Sequence, residues 1–341
     1  MKRRTMMAVA AAAAFTALVG PVGPARAQGK PLTDVTLNLD FISLGRHAPW
    51  YVALAKGYYR DAGLNVKIVP GQGTAQALQA LETDVAQFAF SDVTSLVIAR
   101  SRGASTAKFV AMNYQKAPYA VFSLDPGANV TTPEKLQGLE IASGAGSFTP
   151  KVIEGFMKEH KLDPSTVKYV NVDGSARVGM MVSGKVPAVE TYIFARPGIE
   201  RSLKGPKLAT LFFADHGLEL YSNGLLARDA YIKSHPEIVR AFVQASLRGW
   251  KDALANPAEA ARLEAEYVKG LNPDVVVAEI GILKELAVTP DVKAHGYGAI
   301  DPAMMKKSLD FVVNNIGIQG TAPAVNDIYT TEFLPKPPIL P

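Results

Sequence analysis

Three titratable side chains, His47, Asp92 and Glu190, stand at or just beyond the ends of predicted strands. Ligands of open α/β sheets bind at the carboxyl ends of strands, so this placement predicts contact with a ligand. Glu190 would accept hydrogen bonds from amino groups of a ligand, or else pair with Arg196. Asp92 and His47 would each contact the ligand, or else cap the helix that follows.

A glycine-rich turn runs from Ser143 to Thr149, between a predicted strand and a predicted helix. The free backbone N–H groups of such a turn suit a carboxylate, a phosphate or another acceptor-rich ligand. The turn contributes five candidate ligand contacts: Ser143, Gly144, Ser147, Phe148 and Thr149. The alternative is a helix N-terminus in which Ser147 or Thr149 is the cap and Pro150 fills the first turn.

Aromatic side chains near the same strand ends predict a ligand with a flat ring, held among Phe41, Trp50, Phe148 and Tyr192. Arg46, next to His47, favours an anion instead. The remaining polar candidates are Ser91, Gln115 and Asn223, which also follow strand-like segments. By contrast, Phe242 and Trp250 lie on the apolar face of a long predicted helix, and we expect them in the core.

The sequence lacks the motifs of the common hydrolases and nucleotide-binding enzymes. It contains no G-x-S-x-G, no H-E-x-x-H and no P-loop, and it has no cysteine. Its five histidines are widely separated, which excludes a zinc site built from histidines one helical turn apart. These absences count against catalysis, and we predict no bound metal or cofactor, although the spacing does not exclude a zinc site of dispersed histidines. An exported enzyme with Asp92, His47 and Glu190 as acid and base groups is the alternative.

Residues 1–27 have the composition of an export signal. Lys2, Arg3 and Arg4 form a basic start, residues 5–20 are apolar, and Ala25-Arg26-Ala27 resembles a cleavage site. The formal charge of +5 falls to about +1 without this segment, since 32 basic and 31 acidic side chains remain. No basic stripe with interleaved aromatic residues is present. We therefore predict a monomeric periplasmic protein without a nucleic-acid partner.

The rest of the chain alternates predicted strands and helices, which indicates an α/β fold. A strand over Val35–Ile42 precedes a helix that begins at Pro49 and continues through Tyr58 and Tyr59. From Tyr119 a β-rich segment without a preceding helix indicates a crossing into a second lobe. We predict a first lobe of residues 28–120 and 212–341, and an inserted second lobe of residues 121–211.

Several stretches carry a resemblance to one known family. They are His47-Ala48-Pro49, Lys56-Gly57-Tyr58-Tyr59 and Gly63-Leu64, then Ser222-Asn223-Gly224-Leu225-Leu226-Ala227 and Gly249-Trp250-Lys251-Asp252-Ala253, and finally Asp327-Ile328-Tyr329. Over nearly its whole length after residue 27, the chain resembles periplasmic solute-binding proteins of the nitrate/taurine/sulfonate type. It resembles more closely the pyrimidine-binding group related to the fungal thiamine-pyrimidine synthases.

The resemblance implies a type II periplasmic binding protein, in which two α/β lobes joined by two crossing strands close on a small ligand. It also implies delivery of that ligand to a membrane permease that an ATPase drives. The ligand contacts that it implies are His47, Ser91 or Asp92, the turn Ser143–Thr149, and Glu190.

Two departures bear on the ligand. The iron-dependent activity of the fungal synthases is not implied, because their cysteine-rich motif is missing. Residues 41–46 also differ from the Trp and Asn expected before the histidine of pyrimidine binders. The predicted ligand is a thiamine-precursor pyrimidine or a similar flat molecule. A sulfonate, nitrate or aromatic carboxylate anion is the alternative.

Overall fold

The computed structural model describes residues 31–144 and 147–341. The predicted export signal, and Ala145 and Gly146 of the glycine-rich turn, lie outside the described residues. Within these two ranges, no helix combines the length and the apolar character needed to cross a membrane.

Within the described residues, ten strands form two five-stranded sheets. The strands are β1 (Thr33–Asn38), β2 (Leu64–Val69), β3 (Phe88–Asp92), β4 (Ala107–Met112), β5 (Tyr119–Asp125), β6 (Glu140–Gly144), β7 (Lys168–Val172), β8 (Ala188–Tyr192), β9 (Lys207–Phe212) and β10 (Asn223–Arg228). The first sheet has the order β2-β1-β3-β10-β4, and the second has the order β7-β6-β8-β5-β9. Each sheet with the helices on it is called a lobe below. The predicted α/β, two-lobed architecture is thereby confirmed.

The chain passes between the sheets twice, through residues 113–118 and through residues 213–222. In each lobe three strands run parallel, β1–β3 in the first and β6–β8 in the second. Strands β10, β5 and β9 run antiparallel to their neighbours. Parallel strands carry their carboxyl ends to one edge, so each lobe offers one edge for a ligand. The residue boundaries predicted for the lobes stay a prediction.

Thirteen α-helices occur in the described residues. They are α1 (Ala48–Ala55), α2 (Tyr58–Asp61), α3 (Thr74–Glu82), α4 (Val93–Ser101), α5 (Thr149–Glu159), α6 (Arg177–Val182), α7 (Arg196–Ser202), α8 (Asp229–Ser234), α9 (Pro236–Ala255), α10 (Pro257–Tyr267), α11 (Pro273–Ala287), α12 (Pro290–His295) and α13 (Pro302–Phe311). A π-helical turn, Val312–Ile316, extends α13.

Two predicted elements differ from the observed ones. The single helix expected from Pro49 through Tyr59 is broken, because Gly57 adopts the left-handed conformation with φ of 77° and separates α1 from α2. Asn223, predicted to follow a strand-like segment, is instead the first residue of strand β10, which lies between β3 and β4 inside the first sheet.

The core of the first lobe is built where α1 packs on α9. Gly249 of α9 makes the close approach possible, because a Cβ atom there would lie 2.5 Å from the carbonyl oxygen of Pro49. The rings of Trp50 and Trp250 meet edge to face with centroids 5.5 Å apart, and Phe90 lies 5.4 Å from Trp50. Phe242 and Trp250 are buried in this core, as expected.

Candidate functional site

A cavity of about 470 Å³ lies where the strand ends of the two lobes face each other. From the first lobe it is lined by Asp40, Phe41, Ile42, Leu44, Arg46, Gly71, Gln72, Gly73, Thr74 and Asp92; from the second it is lined by Gly144, Ser147, Phe148, Thr149, Asp173, Gly174, Ser175, Arg177, Glu190, Thr191, Tyr192, Phe194 and Ala195. These residues lie at or beyond the carboxyl ends of β1, β2 and β3 in one lobe and of β6, β7 and β8 in the other. The edges predicted to bind ligand therefore share one cavity.

Glu190 is the most completely enclosed acid of this cavity. Its Oε1 accepts hydrogen bonds from Arg177 Nη1 and Ser143 Oγ, each at 2.9 Å, and from the backbone N–H of Gly144 at 3.3 Å. Its Oε2 is equally buried and has no hydrogen-bond partner among the described residues. The predicted alternative partner, Arg196, does not form this ion pair; Arg177 does.

Gly144 lies close to the pair formed by Arg177 and Glu190. A Cβ atom at position 144 would lie 3.1 Å from Arg177 Nη1, closer than most side-chain contacts. Arg177 also donates from Nη2 to Thr191 Oγ1 at 2.9 Å. The side chain of Arg177 is 13% exposed. Its guanidinium is therefore bonded to two neighbouring residues of β8, Glu190 and Thr191.

Asp40 and Arg46 form the second ion pair of the cavity, at 2.8 Å. Burial alone would raise the pKa of Asp40, but the charge of Arg46 and the hydrogen bond from His47 outweigh it and hold the pKa at about 2. Arg46 also donates from Nη1 to the hydroxyl of Tyr114, and its guanidinium lies 5.4 Å from the ring centroid of Tyr192 in the second lobe. Arg46 is thus in contact with both lobes.

His47 lies behind Asp40 and does not line the cavity. It is fully buried, with Nε2 lying 2.8 Å from Asp40 Oδ1 and Nδ1 accepting the backbone N–H of Leu44. Burial, followed by the positive charge of Arg46, lowers the pKa of the imidazole to about 4. The side chain supports the loop that carries Arg46.

The aromatic candidates divide between the cavity and the core. Phe41, Phe148 and Tyr192 line the cavity, together with Phe194, which sequence reasoning missed. Trp50 is fully buried in the core of the first lobe and does not reach the cavity. Its helix turns this ring toward α9 rather than toward the strand ends.

Four polar candidates do not line the cavity; three of them bond to residues that line it, and Gln115 bonds to residues outside it. Ser143 donates to Glu190, Asn223 Nδ2 donates to Asp40 at 2.9 Å, Ser91 donates to the carbonyl of Thr74, and Gln115 donates to the carbonyls of Met112 and Ala299.

Asp92 and Ser147 both line the cavity, but only Asp92 is also a helix cap. The N-cap of α5 is Phe148, which makes no side-chain capping hydrogen bond, so the expectation that Ser147 or Thr149 caps this helix is wrong. Asp92 lines the cavity and caps α4 by accepting the backbone N–H of Ser95 at 2.6 Å. Ser147 lines the cavity and accepts the backbone N–H of Thr149 at 3.2 Å. Burial raises the pKa of Asp92.

Sequence reasoning missed Asp40, Arg177, the segment Gln72–Thr74 and the segment Asp173–Ser175. One signal was available, since all of them follow parallel strands in the same way as the candidates that were chosen. A charged residue directly after a strand marks Asp173, which follows β7, whereas Asp40 lies inside the strand predicted over Val35–Ile42 and Arg177 is the first residue of α6. Within the described residues, no cluster of three or more metal-ligating side chains occurs.

The chain also matches a family model. The model, described as NMT1/THI5 like, matches residues 45–260, which include Arg46, Arg177 and Glu190. The chain belongs to the NMT1/THI5-like family. This membership confirms the resemblance drawn from the sequence motifs.

Two curated relatives of this NMT1/THI5-like protein are binding proteins. The riboflavin-binding protein RibY of Chloroflexus aurantiacus is 27% identical over 319 residues, which cover 89% of this chain and 87% of the relative. A formylaminopyrimidine-binding protein of Halalkalibacterium halodurans is 24% identical over 231 residues, covering 67% of this chain and 69% of the relative.

Solved structures share the fold. The alkanesulfonate-binding protein SsuA of Xanthomonas axonopodis pv. citri, bound to MOPS, aligns with a TM-score of 0.69 at 13% identity, covering 87% of this chain and 99% of that chain. At this identity the likeness concerns the fold alone, which is the periplasmic binding protein fold that the sequence motifs implied. The homologues of this NMT1/THI5-like protein are solute-binding proteins of ABC-type import systems.

Proposed function

We propose that this protein is the extracytoplasmic solute-binding component of an ABC importer and that its cargo is an uncharged, flat nitrogen heterocycle. Riboflavin is the first candidate, and pyrimidine precursors of thiamine are the second. One observation carries the proposal. Oε2 of Glu190 is buried, has no partner among the described residues, and belongs to a residue that lines a cavity walled by aromatic rings. A buried acceptor of this kind requires a donor, which a ring N–H or amino group of the cargo would supply.

The charges of the cavity favour an uncharged cargo. Arg46 is paired with Asp40 and Arg177 is paired with Glu190, so both guanidinium groups already have an anionic partner. Asp92 adds a further acid to the lining. A sulfonate or nitrate would meet no uncompensated cation among the described lining residues, which argues against the anionic alternative.

The size of the cavity favours a ligand larger than one pyrimidine ring. Pockets of roughly 300–1,000 Å³ bury ligands of drug size, and this cavity has about 470 Å³. The relative with the larger coverage is named for binding riboflavin. A fused ring system would fill this volume better than a single ring.

The enzymatic alternative loses one of its three acid and base groups, His47, to the interior of the first lobe. His47 has both ring nitrogens engaged, by Asp40 and by the backbone of Leu44, and it does not line the cavity. Proton transfer to a cargo in the cavity would need a group within hydrogen-bond reach. We propose that the protein instead closes on its cargo and delivers it, as a monomer, to a permease in the membrane.

Thermal unfolding of the purified protein tests the proposal. Riboflavin, 4-amino-5-hydroxymethyl-2-methylpyrimidine, a formylaminopyrimidine, MOPS and nitrate would be added separately. A ligand present at about 100 times its Kd stabilises the folded state by roughly 2.7 kcal/mol, which raises Tm by several degrees. We expect the shift with riboflavin or a pyrimidine, and we expect E190Q to lose it, because its amide would turn N–H groups toward the donor of the cargo. A shift with MOPS or nitrate alone would refute the proposal.

A further inference from the structure

The groups that donate hydrogen bonds to Oε1 of Glu190 are those of an oxyanion-binding site. Three donors of different kinds converge on this single oxygen: the guanidinium of Arg177, the hydroxyl of Ser143 and the backbone N–H of Gly144, at 2.9, 2.9 and 3.3 Å. Proteins bind free carboxylate, sulfate and phosphate groups with these same donors. Here the anion is a side chain of the protein itself.

We propose that the carboxylate of Glu190 is an internal anion, which fills this oxyanion site and so excludes anionic cargo from the second lobe. The inference rests on the proposed function in one respect, namely that the cargo binds in this cavity. It deepens that proposal by naming the residue that decides between neutral and anionic ligands.

The physical basis is competition for one cation. Arg177 donates from Nη1 to Glu190 and from Nη2 to Thr191, so an incoming sulfonate or carboxylate would compete with a covalently tethered carboxylate for this guanidinium. A tethered group competes at a high effective concentration, which a free anion does not reach. An anion that entered beside Glu190 would also face the negative charge at Oε2, which has no donor of its own among the described residues.

In another protein this fold binds an anionic ligand, since the alkanesulfonate-binding protein that aligns with this chain is bound to MOPS. Removal of the Glu190 carboxylate, with its three donors left in place, should therefore expose a site for a small oxyanion.

Glu190→Ala with acetate as the probe provides the test. The substitution removes a CH₂–COO⁻ group, and acetate supplies a carboxylate and a methyl group of the same size. Thermal unfolding and calorimetric titration would be carried out in sodium acetate and, as the reference, in sodium chloride of equal ionic strength. We expect acetate to bind E190A at least tenfold more tightly than wild type and to raise its Tm.

Three variants separate the proposed site from general effects of salt. In E190Q the amide occupies the volume of the carboxylate, so we expect no gain. In E264A a second fully buried glutamate is removed, but its oxygens have no hydrogen-bond partner among the described residues, so again no gain is expected. In E190A/R177M the cation is absent, and the gain seen in E190A should disappear.

The proposal is overturned if folded E190A responds to acetate no more than E264A does. If E190A does not fold in chloride, E190S replaces it. If neither variant folds in chloride, recovery of the fold in acetate supports the proposal and a lack of recovery overturns it. The proposed cargo is tested separately, because the acetate experiment uses no heterocycle. A wild-type protein that ignores riboflavin and pyrimidines would refute the proposed function and leave the oxyanion site standing.

Discussion

The imidazole of His47 donates its Nε2 hydrogen to Oδ1 of Asp40 across 2.8 Å. The contact made by the other ring nitrogen, Nδ1, shows that His47 is the donor of this hydrogen bond. Nδ1 accepts the backbone N–H of Leu44 at 3.0 Å, so it carries no hydrogen, and the neutral ring must carry its hydrogen on Nε2. His47 is therefore a neutral support that fixes Asp40, which in turn holds Arg46 at the cavity.

His47→Asn should reveal this support through the pH dependence of stability. The pKa of His47 is about 4 in the folded protein and about 6.5 when unfolded, so its contribution is complete above pH 6.5 and is lost as pH falls toward 4. We expect the variant to be less stable at pH 7, by roughly 1–3 kcal/mol for a buried hydrogen bond to a charged group. The difference should shrink below pH 6.5, since only the wild type loses stability by protonation of this ring.

Urea denaturation at pH 7.5, 6 and 5 measures this effect. His295→Asn, at an exposed histidine, is the control and should change the free energy of unfolding by less than about 0.5 kcal/mol. A difference between wild type and His47→Asn that stays constant or widens toward acid pH would contradict the assignment.

Glu264→Met should stabilise the protein at alkaline pH. Burial, with a smaller effect of Glu279, raises the pKa of Glu264 to about 9, and neither carboxyl oxygen has a hydrogen-bond partner among the described residues. A raised folded pKa means that stability is present below the unfolded value of about 4.5 and is lost as pH rises toward 9. Methionine removes this loss, so the variant should gain a few kcal/mol at pH 8 and much less at pH 5.

Chemical denaturation at pH 5 and pH 8 compares the two proteins. Glu266→Met is a matched control on the same helix, because Glu266 is exposed and forms only a surface pair with Arg262. Its effect should stay within about 0.5 kcal/mol at both pH values. An equal stability change for Glu264→Met at pH 5 and pH 8 would show that this carboxyl group does not titrate as described.

Phe41→Ala should weaken binding of the proposed heterocycle without unfolding the protein. Phe41 is half-buried on the cavity wall, and stacking of a heterocycle on an aromatic ring contributes roughly 1–3 kcal/mol. We expect the Kd for riboflavin to rise about 5- to 150-fold. Fluorescence titration of riboflavin measures it, with Tyr267→Ala as an aromatic control outside the cavity. Equal losses in both variants would remove Phe41 from the site.

Gly144→Ala should disturb the cavity through Arg177 alone. The new Cβ atom would lie 3.1 Å from Arg177 Nη1, so we expect the guanidinium to shift by a few tenths of an ångström and its hydrogen bond to Glu190 to weaken. A hydrogen bond to a charged group contributes about 1.5–3 kcal/mol, and its partial loss should weaken heterocycle binding by up to about tenfold. Gly179→Ala is the control on α6, since a Cβ atom there meets nothing within 4 Å. Unchanged affinity in Gly144→Ala would mean that Arg177 does not orient Glu190 for the cargo.

The sequence alone determined the family and the architecture. The motif from His47 to Leu64 and the alternation of strands and helices predicted an α/β protein with two lobes, which the sheets and the family match confirm. The strand-end rule also directed attention to Glu190, Asp92 and the turn at Ser147, all of which line the cavity. Local patterns predict these features because the periodicity of a strand or a helix can be recognised in the order of neighbouring residues.

Only the tertiary structure decided which side chains face the cavity. Trp50 and Arg46 are four residues apart, yet Trp50 points into the α1–α9 contact and Arg46 reaches Tyr192 in the other lobe. The pairing of Glu190 with Arg177 rather than Arg196 depends on how α6 lies beside β8. The direction of a side chain on its helix, and its distance from residues of another element, arise from packing. Packing brings together residues that are far apart in the sequence, and their separation in the sequence does not predict the distance between them in space.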